Sequence, residues 1–191
     1  MIVLKLGGSL GKAEMLRPWL DLLVAAKGRV VVVPGGGAFA DRVRDEQHRL
    51  GFSDRAAHRM ALLAMEQYAQ ILADWQPGLA LCADLDEMSD ALGRSAVPVW
   101  LPSRMALADR DIAESWDITS DSLAAWLARR IRARRLVLVK SMPAPAALDP
   151  EELAEIGAVD RAFPAFFRAA DVALDWIGPG DEARLAALIA A

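Results

Sequence analysis

Two glycine turns and two lysines carry the chemistry of this chain. Lys5-Leu6-Gly7-Gly8-Ser9 and Pro34-Gly35-Gly36-Gly37 each close a short apolar run, and Lys140 ends another. Glycines directly after a strand let backbone N–H groups approach an anion closely, and Ser9 adds a hydroxyl; together they suit phosphate oxygens. An ammonium inside an otherwise apolar strand is costly unless an anion meets it. Lys5 therefore needs a carboxylate of the protein or a phosphate of a ligand, and Lys140 is the second cation for a polyphosphate. Asp121, within Trp116-Asp117-Ile118-Thr119-Ser120-Asp121-Ser122, is the carboxylate expected to hold Lys5 and place its ammonium on a phosphate. Phosphoryl transfer asks a protein mainly for positioning and charge stabilisation. Glycine cradles for donor and acceptor, with lysines between them, would supply both.

Each of these residues has a plain structural alternative. Paired glycines after a strand also make ordinary turns. Asp117, Thr119 or Ser120 can cap the helix that follows, and Asp121 in its first turn suits the helix dipole. Lys140 can snorkel to solvent. Spacing separates the glycines from two better-known cradles. Gly11-Lys12 is followed by Ala13, and Leu6 stands where a P-loop needs its first glycine. Gly35 to Ala40 meets the loose dinucleotide pattern, with Asp54 near the place of a ribose-binding acid. That reading leaves Lys5, Gly7-Gly8 and Lys140 unexplained. Lysine is also scarce: 22 basic residues include only Lys5, Lys12, Lys27 and Lys140. In an arginine-biased chain, a lysine can mark a place where a compact point charge is wanted.

Composition bounds the rest. A chain of 191 residues with 54% hydrophobic content has the size of one compact domain with a full core. No run of about 18 apolar residues marks a membrane span, and the N-terminus reads as a strand, not a signal peptide. The single cysteine, Cys82, excludes an internal disulfide and reads as a buried strand thiol; with His48 and His58 it makes a poor metal set. All of this fits the cytoplasm. A net charge of −4 argues against nucleic acid as a partner, and Arg129, Arg130, Arg132, Arg134 and Arg135 read as a solvated helix end leading into a strand. The six tryptophans are expected mostly in the core.

Strands are expected at 2–6, 29–33, 79–82, 98–101, 136–139 and 172–176. Helices are expected at 15–27 with Pro18 in the first turn, at 38–50 closed by Gly51, and at 54–75 capped by Ser53. Further helices fall at 84–93, at 120–132 and from Asp181 to Ala190, with weak turns near 151–155 and 164–169. Residues 103–116 read as irregular and 141–150 as a loop. Strands apolar on both faces, alternating with helices, imply an α/β fold: an open, mainly parallel sheet between two helix layers. Ligands in such sheets sit beyond the carboxyl ends of the strands, where Gly7-Gly8, Gly35 to Gly37 and Lys140 all fall.

The Lys5-to-Ser9 turn, the Pro34-to-Gly37 turn and the Asp117-Ile-Thr-Ser-Asp121-Ser-Leu-Ala124 segment, in this order, resemble the amino acid kinase superfamily over residues 1 to about 140. The resemblance implies a three-layer αβα sandwich, ATP with magnesium carried on its phosphates, and in-line transfer. It places Lys5, Gly7, Gly8 and Ser9 on donor phosphates, with Asp117, Thr119, Lys140 and Ser141 also on the nucleotide side. It gives Asp121 the task of organising the lysines, and Gly35, Gly36 and Gly37 the acceptor side. A single domain is implied, its part up to about residue 115 facing the acceptor and the remainder the nucleotide. The family's nucleotide loop commonly reads like Asp-Gly-Val-Tyr before Asp-Pro; here only Asp149-Pro150 matches. The chain is shorter than most family kinases and leaves no room for a regulatory domain.

Its length, Gly35-Gly-Gly-Ala-Phe-Ala-Asp41 with Val43-Arg44, and Ala57-His58-Arg59-Met60-Ala61 resemble a short subgroup serving methanofuran-type cofactor synthesis. The acceptor implied is a phosphorylated small molecule, an aminomethylfuran-methyl phosphate, converted to its diphosphate. Polar residues of the expected pocket are Asp41, Arg42, Arg55 and His58, with Arg55 or His58 meeting the phosphate and Asp41 the amine. Ordinary solvated helix faces, and for His58 a half-buried structural place, are the alternatives. Other acceptors (a carboxylate, or uridylate or isopentenyl phosphate) and a non-catalytic nucleotide- or oxyanion-binding oligomer stay open. The family also implies a homodimer or larger homo-oligomer.

Overall fold

Alternation along the strands decides how this chain packs. Residues of β1 (Ile2–Leu6) and β2 (Val30–Pro34) are buried without exception, so both faces of each strand must be covered. The computed structural model describes residues 1–10, 13–26 and 28–190, with the backbone alone at Ser9 and at 13–15. A 3-10 turn (Gly8–Leu10) and α1 (Ala13–Ala25) follow β1, and α2 (Gly37–Leu50) and α3 (Asp54–Trp75) follow β2. Next come β3 (Leu79–Cys82), α4 (Leu85–Gly93), β4 (Val97–Trp100), the one-turn α5 (Ser103–Ala106) and α6 (Ser120–Arg130). The chain ends with β5 (Arg135–Val139), α7 (Pro150–Glu155), α8 (Phe163–Ala170), β6 (Ala173–Ile177) and α9 (Glu182–Ala190).

The six strands form one sheet in the order β3-β4-β2-β1-β5-β6. Every pairing is parallel, so the expected three-layer α/β sandwich is present with a wholly parallel sheet. From β1 the chain moves outward through β2, then crosses back after α6 to the other side of β1. The carboxyl ends of β1, β2 and β5 therefore meet where the winding changes direction, the usual ligand crevice of open sheets.

The two helix layers follow from period two. Ile2, Leu4 and Leu6 join a core with α1, α9 and the later part of α3, through residues such as Trp19, Leu72 and Leu185. Val3 faces the other core, built by α4, α6, α7, α8 and the earlier part of α3, through Leu62, Met88 and Phe163. By the same alternation Lys5 takes the Val3 side, and Lys140 follows Leu136 and Leu138 to it. At the centre of that layer lies α6, buried from Ser120 to Ala128, with Trp126 stacked on Trp100 at 5.6 Å.

Several local expectations hold. Ser53 caps α3 by accepting from the N–H of Ala56, and Gly51 closes α2 in a left-handed conformation. Cys82 is buried, which with nearby Glu87 pushes its thiol up to about 11. Among the cluster of arginines, Arg129 and Arg130 are exposed, and Arg135 pairs with Asp175. Others shift. Helix α1 starts at Ala13, so Pro18 lies inside it and not in the first turn, where its missing N–H removes one helical bond. The stretch at 103–116 contains α5. Asp181 accepts the N–H of Gly178, ordering the turn ahead of α9. Gly11, Lys12 and Lys27 lie outside the described residues. No helix among the described residues is long and apolar enough to cross a membrane.

The two glycine turns touch. A Cβ added to Gly8 would stand 2.2 Å from the Gly37 nitrogen and 2.5 Å from its Cα, and one on Gly35 would stand 2.4 Å from the Gly8 nitrogen. Gly8→Ala must therefore push one backbone off another. It is expected to cost about 1–3 kcal/mol in urea unfolding, as overpacking does. Gly93→Ala, with open space around the new methyl group, is expected to cost nothing; equal losses in the two variants would refute the close-approach argument.

Candidate functional site

Asp121 stands in the first turn of α6, facing the same side of the sheet as Lys5 and Lys140. Lys140 Nζ donates to Asp121 Oδ2 at 2.8 Å and to the Ala158 carbonyl at 2.7 Å. Lys5 Nζ lies 3.0 Å from Asp121 Oδ1, a buried ion pair. All three side chains are buried, so Lys140 does not snorkel to solvent. Burial alone would raise the Asp121 carboxyl; the two ammonium groups outweigh it and hold the carboxyl below its ordinary value. Burial, reinforced by the Lys5 charge and opposed by Asp121, brings Lys140 down to about 8. The Trp176 ring lies 5.7 Å from the same ammonium.

A residue that the sequence did not single out fixes this cluster. Asp160, in the loop before α8, accepts from the N–H and the hydroxyl of Thr119, at 3.0 and 2.8 Å. It also accepts from the N–H of Ser122 at 3.0 Å and from the Ser122 hydroxyl. Thr119 occupies the N-cap position, but its hydroxyl is spent on Asp160, so a distant carboxylate caps α6. Burial and the neighbouring Asp121 charge raise the Asp160 carboxyl. No local pattern marks Asp160, because its partners lie 38 and 41 residues earlier in the chain. With Ala158 receiving Lys140, one short segment holds both ends of the Lys140–Asp121 pair.

The glycine turns divide their labour. Gly7 gives its N–H to the Val139 carbonyl and Gly35 gives its own to Leu6, both at 2.8 Å. These two amides close the sheet edge and are not available to an anion. Gly8 and Gly36 bracket the opening, and Gly37 begins α2, whose first-turn N–H groups have no helical partners. The Ser9 side chain lies outside the described residues.

A cavity of about 190 Å³ opens beside Gly8, Gly36 and Gly37. Its walls are α2 through Ala40, Asp41 and Arg44, α3 through His58 to Met65, and the segment from Trp116 to Ser120. Asp41 and His58 are where the sequence placed them. Arg42 and Arg55 are not: Arg42 pairs with Glu46, and Arg55 turns with Arg59 onto Glu114. The cation of this cavity is Arg44, whose guanidinium lies 4.3 Å over the Trp116 ring and 3.3 Å from Asp41 Oδ1. Its position one helical turn after Asp41 was the available signal. Thr119 lines this cavity. Asp117 is exposed, 3.9 Å from Arg161, and Ser141 is exposed at the start of its loop. A larger hollow, about 660 Å³, lies against the other end of α6 and the residues around Asp109. It is away from the lysine cluster and both glycine turns.

Comparison with known proteins gives a consistent picture. The model of the amino acid kinase family matches residues 1–144. A protein named [5-(aminomethyl)furan-3-yl]methyl phosphate kinase, from Methanocaldococcus jannaschii, is 30% identical over 142 residues. That match takes in 72% of this chain and 64% of the relative, so this chain spans under two thirds of that protein's length. Among solved structures, uridylate kinase from Archaeoglobus fulgidus aligns with a TM-score of 0.72 at 20% identity, over 99% of this chain and 95% of that one. Aspartate kinase from Synechocystis aligns with a TM-score of 0.66 at 17% identity, over 94% of this chain and 38% of that one. The two structures share the fold.

If Asp121 holds two buried ammonium groups, removing its charge leaves both uncompensated. Asp121→Asn is expected to cost about 3–5 kcal/mol in urea unfolding. Adding Lys140→Met to that variant should restore part of the loss, because one stranded charge is gone. Equal stability of the single and double variants would show that the lysines are not the source.

Proposed function

The chain belongs to the amino acid kinase family, and on that premise we propose that it is an ATP-dependent kinase whose acceptor is a small phosphorylated molecule, giving a diphosphate. The observation that carries this reading is the pair of buried ammonium groups on one carboxylate, at the sheet edge where two glycine turns meet. In-line transfer needs positive charge on the moving phosphoryl group and rigid placement of both reactants. Lys5 and Lys140 supply the charge, and Asp121 aims them. Gly8, with Ser9, holds donor phosphates. Gly36, Gly37 and the N-terminus of α2 hold the acceptor phosphate. The part of the chain up to about residue 115, with the Trp116-to-Ser120 segment as a shared wall, then serves the acceptor and the remainder the nucleotide. Within this proposal the protein works in the cytoplasm as a homodimer or larger homo-oligomer.

Magnesium fits this site as an ion brought by the nucleotide. Both Asp121 oxygens face lysines, and among the described residues no group of three or more His, Cys, Asp or Glu side chains is placed to hold a metal. Magnesium is commonly held through substrate phosphates and water, and would supply charge neutralisation on the polyphosphate.

The acceptor we favour is [5-(aminomethyl)furan-3-yl]methyl phosphate, the compound in the relative's name. A cavity of about 190 Å³ is below the roughly 300–1,000 Å³ of pockets for drug-sized ligands. That favours a compact acceptor over a nucleoside monophosphate such as uridylate. A pure binder of nucleotide or oxyanion has less need of a matched pair of buried cations.

The test is ADP formation with a panel of acceptors: the furan phosphate, uridylate, isopentenyl phosphate and acetylglutamate. Lys5→Ala is expected to lower turnover roughly 10²–10³-fold, the scale for losing one charge-stabilising donor. ADP release that needs no acceptor and is unchanged in Lys5→Ala would sink the kinase reading. A pH profile adds a second check. Lys140 acts as the ammonium, and in the free protein it loses its proton near pH 8. Thus kcat/KM for ATP is expected to hold below about pH 8 and fall above it. Bound phosphate favours the ammonium, so the limb in kcat should lie at higher pH. A flat profile of kcat/KM through pH 9 would remove Lys140 from the reaction.

A further inference from the structure

His58 is 2% exposed, yet one of its ring nitrogens has no partner. Nδ1 lies 3.0 Å from the Ser115 carbonyl. A carbonyl only accepts, so Nδ1 carries a proton, and in the neutral ring Nε2 is left as a lone pair. The ring lines the same cavity as the glycine turns, a cavity whose walls carry Ala61, Leu62, Met65 and Ile118 besides the polar Asp41, Arg44 and Thr119. A buried acceptor in such surroundings is costly until something donates to it. Nearby Arg55 and Arg59 do not meet this need, because both are engaged by Glu114.

Position along α3 gives the distance. The Ala64 methyl carbon is 3.7 Å from a Cβ built on Gly36, so Ala64 marks the glycine end of the cavity. His58 stands six residues earlier on the same helix, roughly 9 Å away at 1.5 Å per residue. The N–H groups at the start of α2 favour the phosphate at the glycine end, whereas the Nε2 lone pair repels a phosphate oxygen.

From this we infer that His58 is the specificity-determining residue for the far end of the acceptor, where its Nε2 accepts a hydrogen bond from a primary ammonium. The acceptor class is thus a compact molecule with a phosphate at one end and an amine at the other. His58, one of two residues expected to meet the phosphate, is thereby proposed for the amine instead. The inference rests on the acceptor reading above and adds to it which atom discriminates the amine.

The experiment compares [5-(aminomethyl)furan-3-yl]methyl phosphate with the analogue bearing methyl in place of aminomethyl. Steady-state kinetics are measured at saturating ATP in native protein, His58→Phe and His58→Gln. Native protein is expected to show a KM for the amine roughly 10- to 100-fold below that for the methyl analogue, the scale of one hydrogen bond to a charged group. In His58→Phe the ratio should fall toward one; in His58→Gln, which keeps an acceptor near Nε2, part of it should return. The KM for ATP should stay unchanged in both variants, and thermal melting identifies any loss due to unfolding. If native protein turns over both compounds without preferring the amine, the inference fails and the phosphate-acceptor reading stands. A preference that survives in folded His58→Phe overturns it as well. Turnover of neither compound removes the furan-phosphate reading and this inference with it.

Discussion

Two ammonium groups share one carboxylate in the interior of this protein, and the rest of the structure is arranged around that imbalance. A buried charge is tolerated only when it is paired, and here Lys5 and Lys140 both draw on Asp121. Such a cluster is a poor source of stability, because desolvation of three charges offsets much of their attraction. On the proposed function, the cluster is half of a charge pattern whose other half arrives with a ligand. The Lys5 contact makes this concrete: its ammonium has three protons and one carboxylate oxygen at 3.0 Å, which on the proposed function leaves others for phosphate oxygens.

Geometry of that kind survives only if its frame is rigid. Strand alternation brings both lysines to one face, and neighbouring pairing in the sheet sets Lys5 beside Leu138, two residues short of Lys140. Helix α6 presents Asp121, and every one of its residues from Ser120 to Ala128 is buried. Asp160 then ties down the N-terminus of α6, while Ala158 receives the second lysine. The cluster is thus held by elements far apart in the chain, which meet only when the sheet is complete.

This division explains what could be read beforehand. Strands, most helices, the parallel sheet and the convergence of Lys5, Asp121 and Lys140 follow from local signals: apolar runs, caps, glycine breaks and the cost of an unpaired lysine. Asp160 left no such trace, since its role depends on a loop folding back over forty residues of chain onto Thr119. Arg55 misled because helical position gives the face of a residue but not its partner, and Glu114 lies on a stretch without regular structure. Arg44 was visible as a residue, but its standing in the cavity depends on Trp116, whose indole is anchored to Gln47 at 2.6 Å. Gly7 and Gly35 were recognised as turns, yet their amides serve the sheet.

The contact between the two glycine turns has a consequence for how such a protein can diversify. Gly8 and Gly37 are each other's wall, so neither turn can be altered without moving its neighbour. The opposite side of the cavity is built differently: the Glu114–Trp116 stretch is fastened to α3 by the exposed Arg55 and Arg59 and by one histidine, contacts that can be exchanged singly. On the proposed function, phosphate handling is confined to one inflexible edge, while the opposite wall is free to be rewritten. A descendant of this chain could change the molecule it accepts without relearning how to hold a phosphate.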